Sequence, residues 1–123
     1  MTREELLAPI LEAVPGAAAS AFDAWDVIPG YVNGEHVCTA IMSGAEIHFA
    51  IRPEHQRKLI RKQNTAGFLQ PLVERHGFLT TRIRLESSKE QRFVERLGFQ
   101  PTWADSMFQY YLLTTLPFTR GEA

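Results

Sequence analysis

Residues 92–99 read Arg-Phe-Val-Glu-Arg-Leu-Gly-Phe and give the clearest local structural signal in the chain. The string is typical of a helix that runs to Leu97 and stops at Gly98, because glycine tolerates the left-handed backbone conformation that closes many helices. Either Ser87 or Ser88 can cap the start of this helix through its hydroxyl group. The stretch therefore predicts one short helix with a defined beginning and end.

The residues on the N-terminal side of that helix predict a strand, preceded by another helix. Residues 78–85 alternate, so that Arg82 and Arg84 share one face of the predicted strand. Pro53 is well placed to begin a helix that closes at His76-Gly77. The apolar positions of this helix are spaced for one buried stripe and are Ile60, Leu69, Leu72 and Val73.

Residues 25–51 predict an antiparallel meander of three strands. Short β-prone runs alternate there with the turn signals Pro29-Gly30, Asn33-Gly34 and Ser43-Gly44. The second of these suits a type I′ hairpin turn, because asparagine and glycine both tolerate positive φ. In residues 46–51 the large apolar side chains share one face, and Glu46 and His48 share the other. We expect the apolar face to form core and the polar face to line a cleft.

The two ends of the chain complete the predicted fold. Thr2 and Glu5 form a capping-box pattern that starts a helix, and residues 17–24 predict a second short helix. Residues 102–104 and 107–114 are rich in aromatic and apolar side chains and predict two final strands. The order of elements predicts an α/β fold with a mixed, mostly antiparallel, twisted sheet and helices on both faces.

The composition favours a globular protein without a strongly charged partner. The 123 residues are 45% hydrophobic with a net charge of -1, which fits a single domain over residues 1–123. This charge predicts no nucleic-acid and no membrane partner unless a local patch supplies one. Cys38, the single cysteine, is more typical of a buried apolar residue than of a nucleophile. The acidic N-terminus predicts a cytoplasmic protein, and no histidine or cysteine spacing predicts a metal site.

Residues 51–99 resemble the core of the Gcn5-related N-acetyltransferase (GNAT) family in the order and spacing of their elements. Ile51-Arg52-Pro53 stands where that family's strand ends before its acyl-CoA loop, and Gln56 falls on the first position of its Q/R-x-x-G-x-G/A motif. Residues 92–99 resemble the end of the family's following helix. The resemblance implies a GNAT-like fold without the family's first strand, and acetyl-CoA as the co-substrate for acetyl transfer to an amine.

The resemblance also implies an acyl-CoA site formed by Gln56, Arg57, Lys58, Leu59 and Arg61. Two of these, Leu59 and Arg61, stand at positions where the family has glycines, whose backbone amides approach the pyrophosphate without a Cβ in the way. The basic side chains can instead bind the CoA phosphates through charge-assisted hydrogen bonds. The alternative is an ordinary solvated helical face or a docking patch for an acidic partner.

The resemblance places Glu46 and His48 on the strand face that points towards the acceptor amine, where either side chain is a candidate base. The alternative is a polar, solvent-facing side of the meander. Val94 stands where many family members have a tyrosine that protonates the CoA thiolate, so Tyr110 and Tyr111 are substitute candidates for the acid. With Trp103 and Phe108, these tyrosines can line an acceptor pocket, but their two-residue spacing is more typical of core.

Two functions follow from these observations. The first is an acyl-CoA-dependent N-acyltransferase with an acyl-CoA and an amine acceptor as its ligands. The second keeps the fold without the chemistry, because small acetyltransferase-like proteins of tailed bacteriophages that are associated with particle assembly similarly replace the loop glycines with basic residues. In that case the partner is a phage structural protein or a second copy of the chain, in the host cytoplasm or the virion.

Overall fold

The structure is a computed structural model that describes residues 2–14, 16–55 and 62–115; the side chains of 53 and 62–66 are not described. The chain divides into two compact units, Met1–Leu59 and Ile60–Ala123. Among the described residues, no helix is long and apolar enough to cross a membrane.

The first unit begins with helix α1, Arg3–Ala13, as the capping box predicts. The Thr2 hydroxyl accepts a hydrogen bond from the backbone amide of Glu5, and the Glu5 carboxylate accepts one from the backbone amide of Thr2. The prediction of a second helix over residues 17–24 is wrong, since only a 3-10 turn forms at Ala19–Phe22. The guanidinium of Arg3 ties the residues around this turn to α1 by donating to the carbonyls of Phe22 and Trp25, at 2.7 and 2.9 Å.

Three strands follow in the first unit and confirm the predicted meander: β1 (Asp26–Val32), β2 (Glu35–Ser43) and β3 (Glu46–Ile51). They pair antiparallel in the order β1-β2-β3. Asn33 and Gly34 join β1 to β2 with φ angles of 53 and 81°, as the predicted type I′ turn requires. The β1–β2 register skips Val37, and this bulge shifts the alternation of the residues that precede it in β2.

Both faces of β2 are buried over most of the strand. Residues 37–42 are all buried, although alternation directs their side chains to opposite faces. Helix α1 packs on β2 and β3, and Leu7, Ile10 and Ile41 form a buried cluster there. The face that carries Glu46 and His48 therefore borders this cluster, because the apolar side of α1 packs against the sheet there.

The second unit contains α2 (Lys62–His76), β4 (Leu79–Arg84), α3 (Ser88–Arg96), β5 (Gln100–Ala104) and β6 (Phe108–Leu113). Strand β6 pairs antiparallel with both β4 and β5. At the predicted helix entry, Pro53–His55 forms a 3-10 turn. Helix α2 is described from Lys62, and the stretch between the two lies outside the described residues. The elements otherwise follow the predicted order, and the α/β fold class is confirmed.

The end of α3 shows why residues 92–99 carry so strong a signal. Gly98 has a φ of 111°, and the Phe99 amide donates to the Val94 carbonyl at 3.1 Å in a Schellman-type closure. Val94, Leu97 and Phe99 are 3%, 1% and 1% exposed. At the other end Ser87 occupies the cap position without a capping hydrogen bond, so the predicted hydroxyl cap is wrong.

The two faces of β4–β6–β5 differ in character. Tyr111 and Leu113 of β6 lie opposite Thr81 and Leu79 on a buried face. The opposite face carries Arg82 and Arg84, which are exposed, as well as Phe108 and Tyr110, which are partly buried. Trp103 of β5 is 59% exposed. The prediction that the C-terminal aromatic residues are core therefore holds for Tyr111 and is wrong for Trp103.

Candidate functional site

Glu46 and His48 form a close hydrogen-bonded pair on β3. Their side chains lie two residues apart on one strand face, and His48 Nε2 is 2.6 Å from Glu46 Oε2. The side chain of His48 is 29% exposed and that of Glu46 is 39% exposed. Strand alternation explains the pairing, since residues i and i+2 project from the same side of a pleated strand. The pair remains open to solvent on part of its surface.

This geometry assigns different roles to the two side chains. An ionised carboxylate only accepts hydrogen bonds, so the imidazole proton shared with Glu46 sits on Nε2 of His48. In the neutral ring Nδ1 then carries the lone pair that can remove a proton from a substrate. Glu46 fixes the tautomer and the orientation of His48, as carboxylates do beside catalytic histidines.

Trp25 is the neighbour of His48 that the sequence pattern did not reveal. Its ring meets the imidazole edge-on, with 5.7 Å between centroids and 72° between planes. Trp25 also packs against the cluster under α1, so it connects His48 to the apolar core of the first unit. No local spacing predicts this contact, because Trp25 lies before β1 and is 23 residues from His48 in the sequence. The pairing of β1, β2 and β3 brings the two residues together.

A second polar group on β2 lies beneath α1. The hydroxyl of Thr39, which is fully buried, donates to the carbonyl of Leu6, and His36 Nε2 donates to the same hydroxyl at 2.9 Å. The bulge at Val37 turns His36 to the face of Thr39 despite their odd spacing. These contacts satisfy polar groups that burial would otherwise make costly, so we assign them to stability.

Cys38 is not a usable nucleophile in this environment. The thiol is fully buried, and burial raises its pKa to about 12 despite a hydrogen bond with the backbone of Gly30. The thiolate is the reactive form, and at neutral pH this thiol stays protonated.

The two candidate acids occupy different environments. Tyr111 is 2% exposed and its hydroxyl donates to Glu95 Oε2 at 2.8 Å. Burial, together with the Glu95 carboxylate, raises the pKa of Tyr111, so this phenol releases its proton less readily than a free tyrosine. Tyr110 is partly buried and its hydroxyl donates to Asp105 Oδ2 at 3.0 Å. Of the two, Tyr110 lies on the more accessible face.

The predicted acyl-CoA residues Gln56, Arg57, Lys58, Leu59 and Arg61 all lie outside the described residues. Just before them, His55 is 8% exposed, and its Nδ1 is the one buried side-chain polar atom without a hydrogen-bond partner in the described part of the chain. Its Nε2 lies 3.8 Å from Glu35 Oε2. Sequence reasoning missed His55, because nothing in the local pattern indicates its burial.

Within the described residues, no group of three or more histidine, cysteine, aspartate or glutamate side chains could hold a metal ion.

Comparison with known proteins places these elements in a fold. No protein-family model and no curated protein matches the chain. Among solved structures, the ribosomal-protein-S18-alanine N-acetyltransferase from Escherichia coli aligns over 99% of this chain and 94% of its own, at 17% identity and a TM-score of 0.58. AAC(6')-Ib in complex with paromomycin and acetyl-CoA aligns over 93% and 90%, at 15% identity and a TM-score of 0.66.

A Bacillus subtilis acetyltransferase in complex with CoA aligns over 94% of this chain and 95% of its own, at 11% identity and a TM-score of 0.64. Three acetyltransferases that are at most 17% identical to this chain thus have a similar backbone fold over at least 93% of it. The chain therefore has the fold of the Gcn5-related N-acetyltransferases.

Proposed function

We propose that the protein is an acyl-CoA-dependent N-acyltransferase that transfers an acetyl group from acetyl-CoA to an amine. The observation that carries the proposal is the His48–Glu46 pair, 2.6 Å apart, on the strand that ends immediately before Arg52-Pro53 in an acetyltransferase fold. A histidine oriented by a carboxylate is a suitable general base at neutral pH. The fold alone does not determine function, so the proposal depends on this site.

The proposed reaction is a direct transfer. His48 Nδ1 removes a proton from the acceptor ammonium, and the freed nitrogen attacks the thioester carbonyl carbon to form the C–N bond. The C–S bond then breaks, its electron pair leaves on the CoA sulfur, and the nitrogen, now bonded to the acetyl carbon, loses its second proton to water. Tyr110 or water supplies the proton that converts this thiolate into the thiol, because the alkyl group of Val94 has none to give.

Binding of acetyl-CoA is assigned to Gln56, Arg57, Lys58, Leu59 and Arg61. Two fold neighbours support this ligand, since their structures were solved with acetyl-CoA and with CoA. The three basic side chains fit the negative charge of the CoA phosphates and compensate for the missing glycines. The unpartnered Nδ1 of His55, just before this segment, fits an additional polar contact with the ligand.

A thermal-shift titration with acetyl-CoA tests the binding step. A ligand at about 100 times its dissociation constant stabilises the native state by roughly 2.7 kcal/mol, which a melting curve registers. We expect the double variant Arg57→Ala/Arg61→Ala to lose the shift. The variant Lys89→Ala/Arg92→Ala removes the same charge from exposed positions of α3 and should retain it. Retention of the shift in the first variant would show that the phosphate site lies elsewhere.

An assay of CoA thiol release tests the chemical step, with spermidine, paromomycin and a peptide that begins with alanine as probe amines. With an amine that is accepted, we expect His48→Gln to lower kcat by about 100-fold, as loss of a general base does. Glu46→Gln should lower kcat less, because it removes only the orienting charge. Unchanged turnover in His48→Gln would rule out the assigned base.

The second candidate function is a catalytically inactive interaction module, such as a phage assembly protein. The observation that favours it is the loop string Gln56-Arg57-Lys58-Leu59-Ile60-Arg61, in which side chains replace the family's glycines. One measurement, the thermal shift with acetyl-CoA, distinguishes the two functions. No thermal shift at millimolar acetyl-CoA would support the interaction module and exclude the enzyme.

A further inference from the structure

One face of β4–β6–β5 carries a continuous row of planar side chains, of which the proposed chemistry involves only Tyr110. Trp103 stacks on Tyr110, with 4.1 Å between ring centroids and 7° between planes, and Tyr110 meets Phe108 edge-on at 6.4 Å. The guanidinium groups of Arg82 and Arg84 lie 4.8 and 5.9 Å from the Phe108 centroid. We call this row, from Arg84 to Trp103, the aromatic face.

The aromatic face has the composition of an interface. Tryptophan, tyrosine and arginine are the residues that most often dominate binding energies between proteins. Trp103 is the most exposed large hydrophobic residue in the described chain, at 59%. As the last member of the stack, it offers a ring surface that the tyrosine beneath it does not cover. Tryptophan is highly buried on average, so this exposure is high for the residue type.

The charges on the aromatic face are balanced. Arg84 Nη1 lies 3.2 Å from Glu86 Oε1. The backbone amides of Met107 and Phe108 lower the pKa of the Asp105 carboxyl, and the positive charge of Arg82 lowers it further. The face therefore presents two cations and two anions. A nucleic acid requires an excess of positive charge, and a partner of a single sign would meet repulsion from half of these groups.

A second copy of the same surface does not face this difficulty. A two-fold axis through such a surface allows the arginines of one copy to meet the carboxylates of the other. The surface is thus complementary to itself in charge as well as in its aromatic character.

Pairing through the strand edge is a less suitable way to associate. Strand β5 contains Pro101, and its register with β6 is interrupted between Pro101 and Ala104. Proline and irregular registers are features by which edge strands avoid extending a sheet.

We propose that the aromatic face is a homodimer interface in which two copies pack face to face about a two-fold axis, with Trp103 as the central anchor. The proposal concerns only the second unit and does not depend on acetyl-CoA binding.

Sedimentation velocity of the full chain, from about 10 to 500 μM, tests the proposal. A dimer whose dissociation constant lies in this range sediments as a concentration-dependent mixture of monomer and dimer. We expect Trp103→Ala to raise the dimer dissociation constant about tenfold or more, as loss of a central aromatic anchor does. Phe78→Ala is the matched control, because Phe78 is 44% exposed and lies next to Leu79, at the other end of β4. This control should dimerise like the unmodified chain.

A charge-swap experiment tests the two-fold arrangement without relying on Trp103. Arg84→Glu makes the face acidic and Glu86→Arg makes it basic, so each variant alone should be monomeric. An equimolar mixture should form a heterodimer. Both residues are exposed, at 58% and 67% of their side chains, so these variants should fold even if Trp103→Ala does not.

Three results would overturn the proposal. The first is a monomer at 500 μM, and the second is a dimer that neither Trp103→Ala nor the charge swap weakens. The third is a monomer whose tryptophan fluorescence is quenched by a single-stranded oligonucleotide only when Trp103 is present, which would assign the face to base stacking. Dimerisation lost in Trp103→Ala and regained in the charge-swapped mixture would establish it.

Discussion

Strands β2 and β5 are opposite extremes of the same molecule. Residues 37–42 of β2 are buried without interruption, whereas all five residues of β5 are exposed. In β2 even the polar side chain of Thr39 is fully buried, and its hydroxyl is satisfied by hydrogen bonds. In β5 the largest side chain, Trp103, faces outward. The contrast indicates that β2 contributes to the stability of the first unit through its burial, whereas β5 contributes mainly exposed surface to the second unit.

The largest expected difference in unfolding free energy is between alanine variants of a core residue that packs on β2 and of the exposed Trp103 on β5. Leu7 of α1 is fully buried in the cluster that covers β2. We expect Leu7→Ala to lower the free energy of unfolding by about 3 kcal/mol, since it removes buried methyl groups and leaves a cavity. Trp103→Ala should cost about 1 kcal/mol or less in the monomer, because only the stacking on Tyr110 is lost.

Urea denaturation at a protein concentration low enough to exclude association measures both changes. A Trp103→Ala cost as large as that of Leu7→Ala would show that the exposed face contributes to the core of its own chain. The contrast between β2 and β5 would then fail.

A smaller effect is expected from the same substitution at two threonines, Thr39 in β2 and Thr102 in β5. Thr39→Val keeps the shape but leaves the Leu6 carbonyl and the His36 ring nitrogen without their partner, at a cost of about 2 kcal/mol. Thr102→Val removes a hydroxyl that donates to the Tyr110 carbonyl at 3.1 Å in an exposed strand. Water replaces that bond, so we expect a change within about 0.5 kcal/mol.

Thr39→Ser is the control, since it keeps the hydroxyl and loses only a methyl group. Chemical denaturation that found Thr39→Ser more damaging than Thr39→Val would mean that packing, and not hydrogen bonding, governs this position.

The parts of the fold that depend on local backbone conformation could be predicted. Gly98 closes α3, Asn33-Gly34 turns β1 into β2, and the Thr2 capping box starts α1, each as the residue types require. These signals succeed because a left-handed φ or an unsatisfied helix amide restricts the choice of residue within a few positions.

Features that depend on contacts distant in sequence could not be predicted. Spacing predicts core at Trp103, yet its side chain is 59% exposed, because alternation cannot tell a covered face from an open one. That the face of Glu46 and His48 lines a cleft stays a prediction, and the packing of α1 beside this face has no local signal. For the site itself, spacing predicted the Glu46–His48 pair, whereas the contact with Trp25 and the burial of His55 arise only from tertiary packing.

The smallest effect concerns proton binding in β2. Burial raises the pKa of the Cys38 thiol from its ordinary value of 9.0 to about 12. Above pH 9 the unfolded chain loses this proton while the native chain retains it, so the stabilisation is complete below pH 9 and declines as the pH rises towards 12. We expect the unfolding free energy to fall by about 1 kcal/mol between pH 8 and pH 10, and Cys38→Ala to lack this part of the slope.

A thiol on β5 sharpens the comparison. In a Cys38→Ala background, Thr102→Cys places a thiol on an exposed strand, where a disulfide reagent should react with it as rapidly as with a free thiol at pH 8. Cys38 in the unmodified chain should react only as fast as the first unit opens, since the reagent reaches a fully buried sulfur through unfolding. Equal rates for the two thiols would mean that β2 is accessible in the native state, and its burial would then no longer account for the stability assigned to it.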